Sequence, residues 1–283
     1  MNGAENNQFE APKSNSSLGV RIASAVVLAP VVLGLVWFGG LPFLLLLAVV
    51  GPLMVHEWAG LQTGGDSQVA NEVGISLAIL CFLIGAAWGT PDIGIALAMA
   101  VVGLTVSFAL WRGTPIALPL LGAAYVGLPV LAFAWLRSDF EYGRIALFWL
   151  LAVVWATDIF AYFAGRGIGG PKMAPRLSPN KTWAGLAGGV AGAMLAGGLT
   201  AVWLGSTVWA LALVSGGLAV VSQAGDVTES ALKRRAGVKD SGALIPGHGG
   251  ILDRVDGLMF AAVGAALIAL VRRTGAEGVL LWP

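Results

Sequence analysis

Long apolar runs broken by short polar segments dominate the chain from about residue 20 onward. They lie near 20–38, 41–61, 73–89, 92–111, 115–136, 145–165, 183–204, 206–223 and 257–272. Each is close to the roughly 20 residues that a helix needs to cross a hydrocarbon core of about 30 Å. The pattern predicts an all-α, polytopic integral membrane protein with about nine transmembrane helices. The second and ninth runs are the least regular, because His56 and Glu57 interrupt one and the other is short. Residues 1–19 form a polar tail. Residues 20–140 form a first group of membrane-embedded helices, and residues 141–283 a second group carrying the polar loops 166–182 and 224–256. The first apolar run is long enough to span and leads into further spans, so it reads as an anchor and not a cleaved signal peptide.

Composition agrees. Hydrophobic residues make up 57% of the 283, charged residues only 11%, and mean hydropathy is +0.84, whereas about a quarter of the residues in soluble domains are charged. The net charge of +1 conceals an uneven distribution. With the N-terminus inside, twelve basic residues face the cytoplasm: Lys13, Arg21, Arg112, Arg166, Lys172, Arg176, Lys181, Lys233, Arg234, Arg235, Lys239 and Arg254. Four face outward: Arg137, Arg144, Arg272 and Arg273. This bias favours an N-in, C-out topology. Loops 166–182 and 224–256 are separated by two spans and share one face under either orientation. The single cysteine, Cys81, has no disulfide or metal-ligand partner spacing and reads as a lipid-facing or packing residue. The glycines of GLAGGVAGAMLAGG, Gly185 to Gly198, read as close helix packing through small residues. GRGIGGPK, Gly165 to Lys172, follows no strand and lacks the Lys-Ser/Thr pair of a nucleotide-binding P-loop.

The polar stretch Ser222 to Gly257 holds five of the fifteen carboxylates and five of the sixteen Lys/Arg residues. Asp226 and Glu229 are three apart and Glu229 and Lys233 four apart, so all three share a face of a helix leaving the eighth span. Asp253 and Asp256 repeat the three-residue spacing at the start of the ninth, where a helix N-terminus favours negative charge. Carboxylates gathered in this way repel unless a cation holds them, and hard oxygen ligands suit Mg²⁺. Lys233, Arg234, Arg235, Lys239 and Arg254, with Lys172, Arg176 and Lys181 from the other loop, form a positive field around them. Carboxylates for a metal and cations for anions are the equipment of phosphoryl transfer. The turn around Pro246, Gly247, His248, Gly249 and Gly250 brings backbone N–H groups towards an anion. Asp158 lies inside a span, with Tyr162 and Arg166 at successive helical turns. His56 and Glu57 read equally as interfacial residues or as part of a site.

At these residues the chain resembles the phosphatidate cytidylyltransferases, or CDP-diacylglycerol synthases. The signature Ser, Lys-Arg, Lys-Asp, His-Gly-Gly, Asp-Arg-x-Asp appears here as SALKRRAGVKDSGALIPGHGGILDRVD, Ser230 to Asp256. QAGDVTES, DIFAYFAGR and LSPNKTWAG also look like family segments, and the resemblance runs over roughly 155–260. One departure is Ala184, where the family usually carries Glu. The resemblance implies the reaction CTP + phosphatidate giving CDP-diacylglycerol + diphosphate, with Mg²⁺ as cofactor and a second cation left open. It implies an integral protein of the bacterial inner membrane with its site facing the cytoplasm. Asp226 and Asp253 are expected as principal metal ligands, with Asp256 and Glu229 as further ligands or in support. Lys233, Lys239, Arg254 and His248 are expected to hold the triphosphate or diphosphate. Ser178, Lys181, Thr182, Asp158, Arg234 and Ser230 complete the substrate-binding set. The bilayer is a partner, nucleic acid is not, and a homodimer is left open. The rival readings are a CTP-dependent membrane lipid or polyprenol kinase and an anion transporter. A CDP-alcohol phosphotransferase is disfavoured because Asp256-Gly257 leads into LMFAAVG, without that family's Ala-Arg and later Asp residues.

Overall fold

The computed structural model describes residues 18–62, 67–245, 247, 249–272 and 274–283. Most of the polar tail, together with Pro246, His248 and Arg273, lies outside the described residues. The chain runs through α1 (Leu18–Phe38), α2 (Gly40–Gly60), α3 (Ser67–Ala87) and α4 (Pro91–Trp111). Next comes an interrupted span made of α5 (Ala117–Gly122), a π-helical turn (Ala123–Gly127) and α6 (Leu128–Ser138). The helix α7 (Gly143–Gly167), a hairpin of β1 (Lys172–Ala174) and β2 (Ser178–Thr182), α8 (Trp183–Leu204), α9 (Val208–Arg235), α10 (Leu252–Val271) and a short α11 (Glu277–Leu280) follow.

Among the described residues, eight helices are long and apolar enough to cross a membrane. The sequence pattern predicts about nine, and the difference is α1, whose apolar stretch Ile22–Phe38 is shorter. Two local features depart from the expected pattern. The 115–136 run is not one regular helix, because Pro129 has no N–H to offer the carbonyl four residues back, at Tyr125, and the ladder widens into a π-turn there. Loop 166–182 contains an antiparallel hairpin pairing Lys172 with Thr182 and Ala174 with Ser178.

Consecutive helices pack as antiparallel neighbours, α3 on α4, α7 on α8, α8 on α9 and α9 on α10. Helix α10 also touches α2, α6 and α7, which joins the two halves of the chain. The α7–α8 contact depends on the glycine run. A Cβ at Gly188 would sit 2.3 Å from the Ala164 Cβ, and one at Gly189 2.9 Å from the Thr157 carbonyl. Small residues therefore let the two backbones meet, as expected of this run. Val55, Trp58, Val126, Leu150, Leu211 and Met259 are buried in the core, while Leu199, Trp203, Leu213 and Leu267 point outward. Outward apolar side chains on spanning helices suit contact with lipid tails.

The two ends of the bundle differ. At one end Arg137 donates to the carbonyls of Val36 and Trp37 (2.8 and 3.0 Å), capping α1. There too Arg272 donates to Gly278 and Leu281 carbonyls and stacks on Trp282. These arginines serve helix ends. Every carboxylate in the polar island lies at the opposite end.

Candidate active site

Helices α9 and α10 cross through glycine. A Cβ on Gly225 would lie 2.8 Å from the Asp256 carbonyl oxygen, and one on Gly257 2.5 Å from Ser222 Oγ. The residues beside those glycines are Asp226 and Asp256, so the close crossing is what brings two carboxylates from different helices together. Helix α9 continues unbroken to Arg235, well past the eighth apolar run, and carries Asp226, Glu229 and Lys233 on its last turns. Helix α10 begins at Leu252, five residues before its apolar run. Asp253 and Asp256 therefore occupy its first two turns.

Two lysines bind the carboxylates. Lys233 Nζ lies 2.8 Å from Glu229 Oε2, its i,i+4 neighbour, and 2.6 Å from Asp253 Oδ1. Asp253 Oδ2 accepts from the backbone N–H groups of Ser241 and Gly250, both at 2.9 Å. Both oxygens of Asp253 are thus occupied by the protein. Lys181, at the end of β2, pairs with Asp226 and donates to Gln223 Oε1 at 3.0 Å. Gln223 Nε2 in turn donates to Asp158 Oδ1 at 3.3 Å. Asp158 on α7, Lys181 from the hairpin and Asp226 on α9 form one chain of contacts, and Asp158 and Asp226 sense each other's charge. The two polar loops do meet.

The turn between α9 and α10 uses its N–H groups on the protein's own anions. Gly250 N and Ser241 N serve Asp253, while Ile251 N and Leu252 N donate to Glu57 of α2 at 2.9 Å each. Gly249 has φ +86, and a Cβ there would come within 3.0 Å of Asp253 Oδ2. This left-handed conformation and close approach account for glycine at that position.

Thr182 is buried, and its hydroxyl accepts from Gly185 N at 3.0 Å, capping α8. Ser178 is half-buried on β2. Arg234, Lys239 and Arg254 are exposed on the rim, with Arg234 donating to the Val238 carbonyl at 3.2 Å. Ser230 is partly exposed on α9. His248 lies outside the described residues. Tyr162 accepts from Arg166 at 3.2 Å, and Asp158 pairs with Gln223 instead of these two.

Three further residues belong to the cluster. Gln223 links Asp158 to Lys181, and Ser241 links Asp253 to Glu57 through its N–H and its hydroxyl. Tyr125, in the π-turn, stacks on Trp58, and among the described residues its buried hydroxyl has no hydrogen-bond partner. It lies within electrostatic reach of Glu229, Asp256, Asp253 and Asp226. A polar Gln at the end of an apolar run was a readable signal for the first. Nothing local marks Tyr125, because only packing brings α5–α6 against α10.

Among the described residues, no three His, Cys, Asp or Glu side chains converge closely enough to hold a metal ion as they stand. The chemistry of the donors nevertheless fits a small divalent cation. Glu229 is 1% exposed, and among the described residues its Oε1 has no hydrogen-bond partner. It lies beside Asp256 and Asp253, whose charges repel its own. The one ammonium beside it, Lys233, is shared with Asp253, so a further cation would offset the repulsion that remains at this buried carboxylate oxygen.

The cytidylyltransferase family profile matches residues 19–271, extending through the first helices as well as the polar island. A phosphatidate cytidylyltransferase of Brucella abortus is 44% identical over 255 residues, covering 87% of this chain and 91% of the relative. Proteins of the same name from Pseudomonas aeruginosa and Bacillus subtilis are 37% and 35% identical, covering 88% and 85% of this chain and 96% and 93% of theirs. With its helix ends, lysine clamps and near full-length similarity all in agreement, the chain belongs to the cytidylyltransferase family.

Proposed function

We propose that this protein transfers the cytidylyl group of CTP to phosphatidate, giving CDP-diacylglycerol and diphosphate. The observation that carries this reading is Lys181. It leaves the hairpin to pair with Asp226 of α9 and bond Gln223, joining a basic loop to a carboxylate helix end. A solvated membrane edge has no need of such a junction, and a basic patch for lipid headgroups has no need of carboxylates.

In the reaction, a phosphate oxygen of phosphatidate bonds to the α-phosphorus of CTP. The bond from that phosphorus to the bridging oxygen of the β-phosphate breaks, and diphosphate leaves with the electron pair. The second pKa of a phosphate monoester is about 6, so the attacking oxygen needs no strong protein base. The protein's task is alignment and charge neutralisation. Asp226 and Asp256, with Glu229 behind them, are the residues that would hold Mg²⁺, which when bound neutralises charge on the phosphate oxygens. Asp253, with both oxygens occupied, serves as the clamp that joins the α10 start to Lys233 and the 241–250 turn. Lys181 lies at the mouth of the cluster and meets phosphate there, beside Ser178. Lys239, Arg234 and Arg254, exposed beside the cluster, steer the triphosphate and the leaving diphosphate, and Ser230 and Asp158 complete the substrate-binding set.

The polar cluster sits at the bundle end carrying Arg112, Arg166, Lys172, Arg176, Lys181 and the 233–239 cations. The positive-inside bias supports reading that end as the cytoplasmic face, where CTP is available, and the bacterial relatives support reading the membrane as an inner membrane. The acyl chains of the lipid remain in the bilayer beside the helices. The purified protein in detergent, given phosphatidate and CTP labelled at the α-phosphorus, should place the label in a lipid product and release unlabelled diphosphate. Transfer of label only from the γ-phosphorus would instead indicate a kinase and overturn the reading.

A further inference from the structure

We infer that Glu57, on α2 in the first half of the chain, is a positioning residue for the carboxylate cluster. It acts as the N-terminal cap of α10 supplied from another helix. The N-cap residue of α10, Ile251, makes no side-chain capping bond. Its first free N–H groups, on Ile251 and Leu252, donate instead to Glu57 Oε1 and Oε2 at 2.9 Å each, across 194 and 195 residues of sequence. Glu57 Oε2 also accepts from the Ser241 hydroxyl at 3.2 Å. Glu57 is 3% exposed.

The surroundings are shaped to this carboxylate. A Cβ on Gly250 would fall 2.7 Å from Glu57 Oε2, and one on Gly242 2.6 Å from Oε1. Both glycines admit the carboxylate to the backbone of the turn. Ser241 then divides its two donors, its hydroxyl to Glu57 and its N–H to Asp253 Oδ2. A continuous hydrogen-bonded path thus runs from α2 through Ser241 to Asp253, and from α2 through Leu252 to the first turn of α10, which carries Asp253 and leads to Asp256. A buried carboxylate at a helix N-terminus is favourable by itself through the helix dipole. What makes it a positioning device is that the atoms it fixes are one residue away from the acidic site. Its neighbour His56 bonds Glu72 of α3 at 2.8 Å on the exposed side and takes no part in this path.

The inference rests on the proposed cytidylyl transfer for its catalytic consequence, and the test separates the two. Glu57→Gln keeps the shape but turns an NH₂ towards a backbone N–H that needs an acceptor. In hydrogen exchange of the full chain, amides at 241–256 should exchange at least about 10-fold faster in this variant, with those of α7 and α8 unchanged. In the transfer assay, kcat should fall at least about 10-fold, since small displacements of catalytic groups cost on that scale. KM for CTP and for phosphatidate should change by less than about 3-fold, because Glu57 touches neither substrate. Glu57→Asp should recover part of the kcat loss, and Ser241→Ala combined with Glu57→Gln should lose less than the sum of the two single effects. If Glu57→Gln does not fold, the Glu57→Asp exchange and kcat values decide by the same criteria. Unchanged exchange at 241–256 overturns the strut itself. Faster exchange with normal kcat overturns its positioning role. A wild-type protein that makes no labelled lipid overturns the proposed reaction, while the exchange result still decides whether Glu57 holds α10.

Discussion

Lys233 of α9 places its ammonium 2.6 Å from Oδ1 of Asp253 on α10, 20 residues further along the chain. The same nitrogen bonds Glu229 Oε2 at 2.8 Å. One cation therefore compensates two carboxylates whose side chains are only 2% and 5% exposed. Removing one partner of a buried pair leaves an uncompensated charge and costs about 3–5 kcal/mol. Lys233→Met should lower the melting temperature and reduce CDP-diacylglycerol formation by at least about 100-fold. Lys233→Arg should not restore it, because a planar guanidinium cannot occupy the point between the two carboxylates that an ammonium fills. Near-normal turnover in Lys233→Met would show that the clamp is dispensable.

The carboxylates should separate by role. Asp226→Asn and Asp256→Asn are expected to lose at least about 100-fold in rate. Both should also raise the Mg²⁺ concentration needed for half-maximal activity by about 10-fold, as removal of a ligand does. Asp253→Asn should lose rate and thermal stability together without that shift in Mg²⁺ demand, since its oxygens already bind Lys233, Ser241 and Gly250. Titration of Mg²⁺ into each variant in the transfer assay checks this. An altered Mg²⁺ requirement in Asp253→Asn would return that residue to the metal ligands.

The α9–α10 crossing makes a prediction that needs no assumption about chemistry. A methyl group on Gly225 would press on the Asp256 carbonyl at 2.8 Å, and backbone cannot swing aside as a flexible side chain can. Overpacking of this kind costs about 1–3 kcal/mol, so Gly225→Ala should lower both stability and rate. Gly217, two turns earlier on the same helix, is exposed, and a methyl group there would meet nothing within 4 Å. Gly217→Ala should be neutral or gain up to about 1 kcal/mol from helix propensity. Thermal melts of the two variants in the same detergent make the comparison, and equal effects would mean that the crossing tolerates separation.

Much of this arrangement could be read from the sequence. Apolar run length places the helices, and three- and four-residue spacings place Asp226, Glu229 and Lys233 on one face. The glycine run of α8 was readable because small residues in a span have one common use. Pairings between distant segments were not. Nothing in the sequence says that Asp158 should choose Gln223 over Tyr162, because helical spacing describes neighbours along one helix and the chosen partner lies on another. Glu57 was ambiguous for the same reason, since its three donors lie more than 180 residues away. The turn at Gly249 and Gly250 was legible as an anion-binding shape, but the anions it holds are Asp253 and Glu57. The π-turn at Tyr125 followed from Pro129 only once the helix was known to continue through it.

Ala184 tests how the hairpin loop delivers Lys181. It stands in the first turn of α8 and is partly exposed, immediately after the cap formed by Thr182 and Gly185. An acidic side chain near a helix N-terminus is favourable by about 0.3–1 kcal/mol, and the Thr182 hydroxyl already supplies the cap. Ala184→Glu should therefore be tolerated, with a small gain in stability and a rate within about 3-fold of wild type. The one route to harm is competition for Lys181, which Asp226 and Gln223 now share. If the new carboxylate drew Lys181 away, the rate would fall and KM for CTP would rise, because the lysine at the mouth of the site would no longer meet phosphate. Steady-state kinetics of this single variant distinguish the two outcomes, and a loss larger than about 10-fold would show that the α8 start lies closer to the reacting phosphates than its position as a cap implies.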